Sequence, residues 1–396
     1  MKRILSLVLL FVLSFNLLAI NVFAENNTKN GAEKYEISPI NVDVDCTSAL
    51  LMDAESGTVL YRKNETEAAS PASVTKIMTL LLVMEAIASG AVSLDEKVTV
   101  SAYAASMGGS QVFLEEGESM TVSDLIKCTV IASGNDAAVA LAEHISGGED
   151  AFVRKMNERA GELGLESTNF ENVTGLDDTT QSHKTSALDI AIMSRELIKY
   201  PLITEYSSIW QDTIRGGEFT LTNTNRLVRY YDGCNGLKTG STDKAGFCIS
   251  ATAKRSGTQL IAVVMGAPTR DVRNEIARKL LDYGFAGYSS YNDVERVIEE
   301  IPVLGGKASS VTAYSSGFSA LINKADAKRV ELHYEIPESI SAPIRSGDVI
   351  GNIRYEIDGK LLGTADITVK CDVPKITFID LFLSIIGAHV GYRVEK

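Results

Sequence analysis

Apolar positions change their spacing several times along the chain, and each change predicts a different element. Residues 4–20 are an almost unbroken apolar run behind Lys2 and Arg3, and Val22 and Ala24 place small residues at −3 and −1 of a cleavage site. This is the layout of a secretory signal peptide over residues 1–24. An uncleaved anchor would share the apolar run, but the small-residue site and the polar Glu25-Asn26-Asn27 favour cleavage. Residues 25–45 are polar and irregular and predict a spacer. Between Ser48 and Tyr61 two apolar runs flank Glu55-Ser56-Gly57, which predicts a β-hairpin. From Ser73 to Ser89 the chain is apolar nearly all round, as expected of a helix buried in a domain centre, and Gly90 closes it.

Helical signals dominate from about residue 93 to 230. Ser123 and Asp124 mark a helix start, and Asp136 opens a second helix that stops at Ser146-Gly147-Gly148. After Gly240 the period changes to paired strands, GFCISATAK and TQLIAVVMG, around a turn at Arg255-Ser256-Gly257. A last helix puts Val272, Ile276, Leu280 and Tyr283 at helical spacing. One hairpin early and one late predict a sheet whose strands come from both ends of a domain over residues 46–288. Residues 289–372 are short alternating stretches divided by Gly, Pro and Asp, which predicts a small all-β domain used for spacing or packing. Residues 376–387 form an apolar stretch too short to span a bilayer. Thr377, Asp380 and Ser384 give it a narrow polar stripe, as expected of a helix lying in a membrane surface within a terminal segment 373–396. A terminal helix packed on the β domain is the competing reading.

Composition narrows the function classes. The 396 residues are 45% hydrophobic, 22% charged and 7% aromatic, which is globular. Loss of Lys2 and Arg3 with the signal segment would take the formal charge from −13 to −15, which argues against nucleic acid as a partner. Five scattered cysteines (Cys46, Cys128, Cys234, Cys248 and Cys371) are an odd number, so at least one thiol stays free. Cys128 and Cys248 sit in apolar segments, as small buried hydrophobes do. The four histidines are far apart with no ligand spacing, so neither a metal nor a cofactor is expected.

Three short motifs carry candidate chemistry. Ser73 and Lys76 stand at i and i+3, on one helix face. A serine needs a base to become nucleophilic, and a lysine can be one only where burial or a neighbouring cation lowers its pKa. The apolar helix supplies that desolvation, and its N-terminus offers N–H groups to developing negative charge. Ser133-Gly134-Asn135 lies between two predicted helices, either presenting a hydroxyl and an amide to a cleft or capping the next helix. Lys238-Thr239-Gly240 precedes the late hairpin, where it either offers a cation and a hydroxyl to a carboxylate or serves as an ordinary strand entry.

Taken in order, SxxK, SxN and KTG are the motif set of penicillin-binding proteins and serine β-lactamases. The longer stretches PASVTKIMT, GLxxTNFxNVTGLDD (164–178) and KTGSTDKAGF (238–247) resemble the low-molecular-mass D-alanyl-D-alanine carboxypeptidases, over roughly residues 45–290 and into the β domain. The resemblance implies an α/β (α+β) chain: a β-lactamase/transpeptidase-like domain with an antiparallel sheet and a helical cluster, followed by a small all-β domain. It implies that Ser73 attacks between the terminal D-alanines of a peptidoglycan stem peptide while Lys76 takes its proton. Ser133 would relay a proton to the leaving D-alanine, Asn135 would hold the substrate amide, and Lys238 would tune the charge around Ser133. The backbone N–H groups of Ser73 and Ser241 would form the oxyanion hole beside Gly240. Thr239 would bind the terminal carboxylate together with Arg273, with Arg270 as the alternative and Arg226 close by. β-Lactams would acylate the same serine and leave slowly. No cofactor is implied, and the expected location is the cell wall or the outer face of the cytoplasmic membrane. A β-lactamase using Glu166 or Glu171 to activate water, a crosslinking transpeptidase, and an inactive wall-binding protein are the rival readings.

Overall fold

The central sheet is built from both ends of its chain segment, as the early and late hairpins require. A computed structural model describes residues 33–37, 41–177 and 180–390; the expected signal segment 1–24, and Asp178 of the 164–178 stretch, lie outside the described residues. The described chain divides into two units, one of residues 37–292 and 319–327 and one of 33–36, 293–318 and 328–390.

In the first unit, β1 (Ser48–Asp53) and β2 (Val59–Lys63) form the early hairpin. A 3-10 turn (Ala72–Thr75) leads into α1 (Lys76–Ala88). The helices α2 (Val122–Val130), α3 (Asn135–Ser146), α4 (Glu149–Glu162) and α5 (Ala187–Leu197) follow. Then come β3 (Cys234–Thr242), β4 (Gly246–Arg255), β5 (Thr258–Ala267) and α6 (Arg270–Gly287). The strand order is β2-β1-β5-β4-β3, antiparallel throughout, so β3 is left at an edge.

The strands look uniformly apolar because both sheet faces are covered. Leu50, Met52, Ile261 and Val263 pack with the helices around α1, while the alternate residues Leu51, Leu260, Ala262 and Val264 pack on Ile276, Ala277, Leu280 and Leu281 of α6. Each large side chain so buried contributes about 1.5–3 kcal/mol before the entropy of ordering is subtracted. Within α1, Ile77, Met78, Leu80, Leu81, Val83 and Met84 are all buried, which explains its lack of a polar face.

Four local expectations are corrected. Helix α2 starts at Val122, not Ser123, because the Thr121 hydroxyl accepts from the Asp124 N–H and makes Thr121 the cap. Neither Asn135 nor Asp136 caps α3; the Asp136 carboxylate accepts from Val112 and Leu114 N–H and ties down that loop. Lys238-Thr239-Gly240 precedes the late hairpin as expected, but it is not a strand entry: it lies inside β3, paired with Ser250, Ile249 and Cys248. Tyr283 is exposed, because the buried face of α6 runs through Arg273, Ile276, Ala277, Leu280, Leu281 and Gly284. All five thiols are free, with Cys371 exposed and the other four buried.

The second unit is a six-stranded sheet of β6 (Val297–Leu304), β7 (Ser310–Ser315), β8 (Val330–Glu335), β9 (Ile340–Ser341), β10 (Val349–Ile357) and β11 (Lys360–Val369). Its order is β8-β10-β11-β7-β6-β9, with only the β6–β9 pair parallel. The first unit recovers residues 319–327, which a linear division at residue 288 misses: Leu321 is buried there among Phe285 and Tyr288. A last helix, α7 (Phe378–Val390), follows the sheet of the second unit. It exposes Phe378, Ile379, Leu381, Phe382, Leu383, Ile385 and Ile386. Two members of its expected polar stripe are used locally: Thr377 and Asp380 cap each other's backbone, and Lys307 donates to Asp380. The Ser384 side chain is outside the described residues. Among the described residues no helix is long and apolar enough to cross a membrane.

Candidate active site

Edge strand β3, the turn before α1 and the start of α3 meet at a cleft of about 600 Å³. Ser73, Ser133, Thr239, Gly240, Ser241, Arg226, Arg270 and Arg273 all line it, so the structure gathers these expected positions in one place. Lys76, Asn135 and Lys238 stand behind them, fully or almost fully buried.

Lys76 is the centre of the arrangement. Its Nζ lies 3.0 Å from Ser73 Oγ, 2.5 Å from Asn135 Oδ1 and 2.9 Å from the Thr174 carbonyl. The amide orientation is fixed, because Asn135 Nδ2 donates to the Gly108 carbonyl at 2.7 Å. Two of the three neighbours are therefore pure acceptors. A neutral amine has two N–H donors and one lone pair, so donating to Asn135 and Thr174 leaves its lone pair for the Ser73 hydroxyl proton. The Lys76 pKa is held well below its usual 10.5, first by burial and then by the nearby Lys238 cation, while Asp136 pulls the other way. Geometry and electrostatics together give a buried, acceptor-lined amine that is hard to protonate.

Both ends of the Asn135 carboxamide make a hydrogen bond, Oδ1 accepting from Lys76 and Nδ2 donating to the Gly108 carbonyl, while the amide NH2 carries a second proton.

Ser133 carries a positive φ of 65°, and Lys238 Nζ donates to its hydroxyl at 2.8 Å and to the Thr239 carbonyl at 2.8 Å. Burial, with Arg273 as a lesser cause, pushes the Lys238 pKa down to about 7. Thr239 Oγ1 donates to Thr224 Oγ1 at 2.8 Å. Arg273 is 3% exposed and its guanidinium is braced by Asn274 Oδ1, at 2.9 Å from Nη2. Arg226 and Arg270 are exposed cations on the same cleft. Three guanidinium groups, a threonine hydroxyl and the start of α6 gather positive charge at this end of the cleft.

Sequence reasoning missed the contribution of the 171–177 loop. It gives Lys76 its carbonyl acceptor at Thr174 and takes the Thr79 hydroxyl at the Val173 carbonyl. Asn172 Oδ1 accepts from Thr174 and Gly175 N–H to shape it. The visible signal was the stretch NVTGLDD, which pattern alone could not connect to a base because its working atoms are backbone. Trp210 and Tyr230, which also line the cleft, were missed too.

Glycine is required on both sides of the Ala72–Thr75 turn. A Cβ on Gly240 would lie 2.8 Å from Pro71 O and Ser73 N, and one on Gly175 would lie 1.8 Å from the Ala72 carbonyl oxygen, at a φ of +82°.

Comparisons with known proteins agree with one another. A sequence model described as D-alanyl-D-alanine carboxypeptidase matches residues 33–269, and one described as the C-terminal domain of penicillin-binding protein 5 matches residues 291–375. The D-alanyl-D-alanine carboxypeptidase DacF of Bacillus subtilis (strain 168) is 40% identical over 400 residues, covering 99% of this chain and 100% of its own. Penicillin binding protein 5 from Haemophilus influenzae superposes with a TM-score of 0.74 at 33% identity, over 85% of this chain and 100% of its own. Penicillin-Binding Protein D2 from Listeria monocytogenes, in its cefotaxime-bound form, gives a TM-score of 0.58 at 32% identity, over 62% of this chain and 99% of its own.

Two outcomes follow from the site. Gly175→Ala is expected to cost several kcal/mol, on the scale of about 1–3 kcal/mol for an overpacked site plus the strain of a positive φ, read as a lowered urea midpoint. For Lys238, a folded pKa of about 7 against an ordinary 10.5 means the unfolded chain binds a proton that the native state lacks across that window. Its contribution to stability therefore rises with pH between those values and is lowest below about pH 7. Urea midpoints compared with Lys238→Met should show the wild-type disadvantage shrinking from pH 6 to pH 10; a constant difference would contradict it.

Proposed function

The chain belongs to the D-alanyl-D-alanine carboxypeptidase family, and from that premise we propose which of its residues carry the reaction. The protein is a serine-type D-alanyl-D-alanine carboxypeptidase acting on peptidoglycan, and it binds β-lactams. The observation that supports our assignment of residues is the buried Lys76 Nζ, 3.0 Å from Ser73 Oγ and beside the two acceptors Asn135 Oδ1 and the Thr174 carbonyl.

On this reading Ser73 Oγ attacks the carbonyl between the terminal D-alanines as Lys76 takes its proton. Backbone N–H groups of Ser73 and Ser241 stabilise the oxyanion. The C–N bond then breaks, and the departing amine receives a proton through Ser133, whose hydroxyl is oriented by Lys238. Thr239 and Arg273 hold the terminal carboxylate, with Arg270 and Arg226 adding attraction. Water then attacks the acyl-Ser73 ester, with Lys76 again the base, and releases the shortened peptide.

The β-lactamase reading is not favoured. Glu171 accepts from Gln181 N–H, Ser182 N–H and the Ser182 hydroxyl, and among the described residues no carboxylate lines the cleft. Nor is an inactive wall-binding protein favoured, since Ser73 with Lys76 and Ser133 with Lys238 each form a hydrogen-bonded pair at the cleft.

Acting on the cell wall is consistent with export. We further assign α7 to a membrane surface, on the outer face of the cytoplasmic membrane. Seven large apolar side chains exposed along this helix support this, since water is a poor environment for them.

A labelled penicillin should modify wild type at Ser73, and Ser73→Ala should take no label. Lys76→Met is expected to slow acylation by about 10²–10⁴-fold, the usual range for losing a general base, and to abolish D-alanine release from a pentapeptide. Wild-type acylation should accelerate with pH as the Lys76 amine loses its proton. Label on another residue would sink the assignment. For the helix, protein lacking residues 1–24 should float with phospholipid vesicles, and a form ending at Asp372 should stay in solution with D-alanine release unchanged; equal flotation of both would remove the membrane role.

A further inference from the structure

The nucleophile turn has one polar support that the reaction does not use. Thr75, between the two motif residues, is 1% exposed, and its hydroxyl donates to the Ala72 carbonyl at 2.8 Å. The same hydroxyl lies 2.8 Å from Nε2 of His183, a ring only 3% exposed. On the far side of that ring, Glu171 N–H donates to Nδ1 at 3.0 Å. An Nδ1 that accepts cannot carry a proton, so Nε2 does, and it donates to Thr75. The chain of donors therefore has one direction: Glu171 N–H to His183, His183 to Thr75, Thr75 to the Ala72 carbonyl.

His183 is itself held in place. The segment around it pairs by backbone on both sides, Asn169 with Lys184 and Ala69 with Thr185, and Phe170 lies edge-on to the ring at 5.8 Å. What it supports is a strained turn, since Ala72 carries a φ of 49° although it is not glycine. Gly240 of β3 and Gly175 of the 171–177 loop lie so near the same turn that neither has room for a Cβ. Their backbones confine the turn, whereas the His183–Thr75 bond ties it. Burial keeps the ring neutral, pushing its pKa down to about 4 against the pull of the Glu171 and Asp177 carboxylates.

We propose that His183 is a positioning residue for the nucleophile: through Thr75 it fixes the Ala72–Ser73 backbone so that Ser73 stays on the lone pair of Lys76. This rests on the reading of Ser73 and Lys76 given above. It touches no reacting atom, so its effect should fall on the covalent step and not on initial binding.

Stopped-flow acylation by labelled penicillin separates the two, giving a dissociation constant and a first-order acylation constant. For His183→Ala and for Thr75→Val the acylation constant is expected to drop at least about tenfold, with binding changed less than about twofold, as small misplacements of a reacting group do. The double variant should be no slower than the slower single one, because both cut the same link. Thr75→Ser, which keeps the hydroxyl, should acylate near the wild-type rate, and His183→Gln, which keeps a donor toward Thr75, should recover part of the loss. If His183→Ala does not fold, the Thr75→Val and His183→Gln pair carries the test. Unchanged acylation in the variants, or losses that multiply in the double variant, would overturn the proposal. Wild type labelled elsewhere than Ser73 would overturn the earlier assignment instead, so the two failures are distinct.

Discussion

A lysine amine kept away from water governs the architecture of the first unit. An exposed lysine is protonated at neutral pH and cannot take a proton from serine. The Lys76 pKa is held well below the ordinary value because the start of α1 is buried, which in turn requires helices on one face of a covered sheet. Burial alone would leave an unsatisfied polar group, at a cost of about 1–3 kcal/mol. The Thr174 carbonyl and the Asn135 amide remove that cost, and by being acceptors they also decide where the lone pair points. The second buried lysine acts in the same direction, since its charge discourages protonation of the first. Solvation, hydrogen-bond direction and like-charge repulsion thus converge on one nitrogen.

Much of this was legible in the sequence because it depends on side-chain pattern. The hairpins, the all-apolar α1 and the five longest alternating strands of the second unit follow from periodicity, and Ser73, Lys76, Ser133 and Lys238 follow from motif spacing. What stayed hidden depends on backbone. The carbonyl of Thr174, the pinched approach at Gly175 and Gly240, and the edge position of β3 leave no distinctive side-chain signature. Asn135 shows the same limit from the other side. Its identity was visible, but whether its amide faced outward or toward Lys76 depended on the Gly108 carbonyl, 27 residues away.

The second unit shows how one feature reads differently in sequence and in space. Thr377 and Asp380 look like the polar stripe of an amphipathic helix, yet they are spent on the helix start and on Lys307. The described side chains of α7 are therefore more uniformly apolar than the linear pattern indicated.

The packing around Ser73 also limits how the protein can vary under selection by antibiotics. On two sides the Ala72–Thr75 turn abuts main chain, at Gly240 and at Gly175, and main-chain atoms cannot be exchanged by a codon change. Substituting either glycine intrudes on the turn itself, so discrimination between a natural stem and a drug that imitates it has little room to evolve there. The freedom lies at the perimeter, where Trp210, Arg226, Tyr230 and Arg270 present replaceable side chains to the cleft. Adaptive change should accumulate on that perimeter while the immediate surroundings of the serine stay invariant.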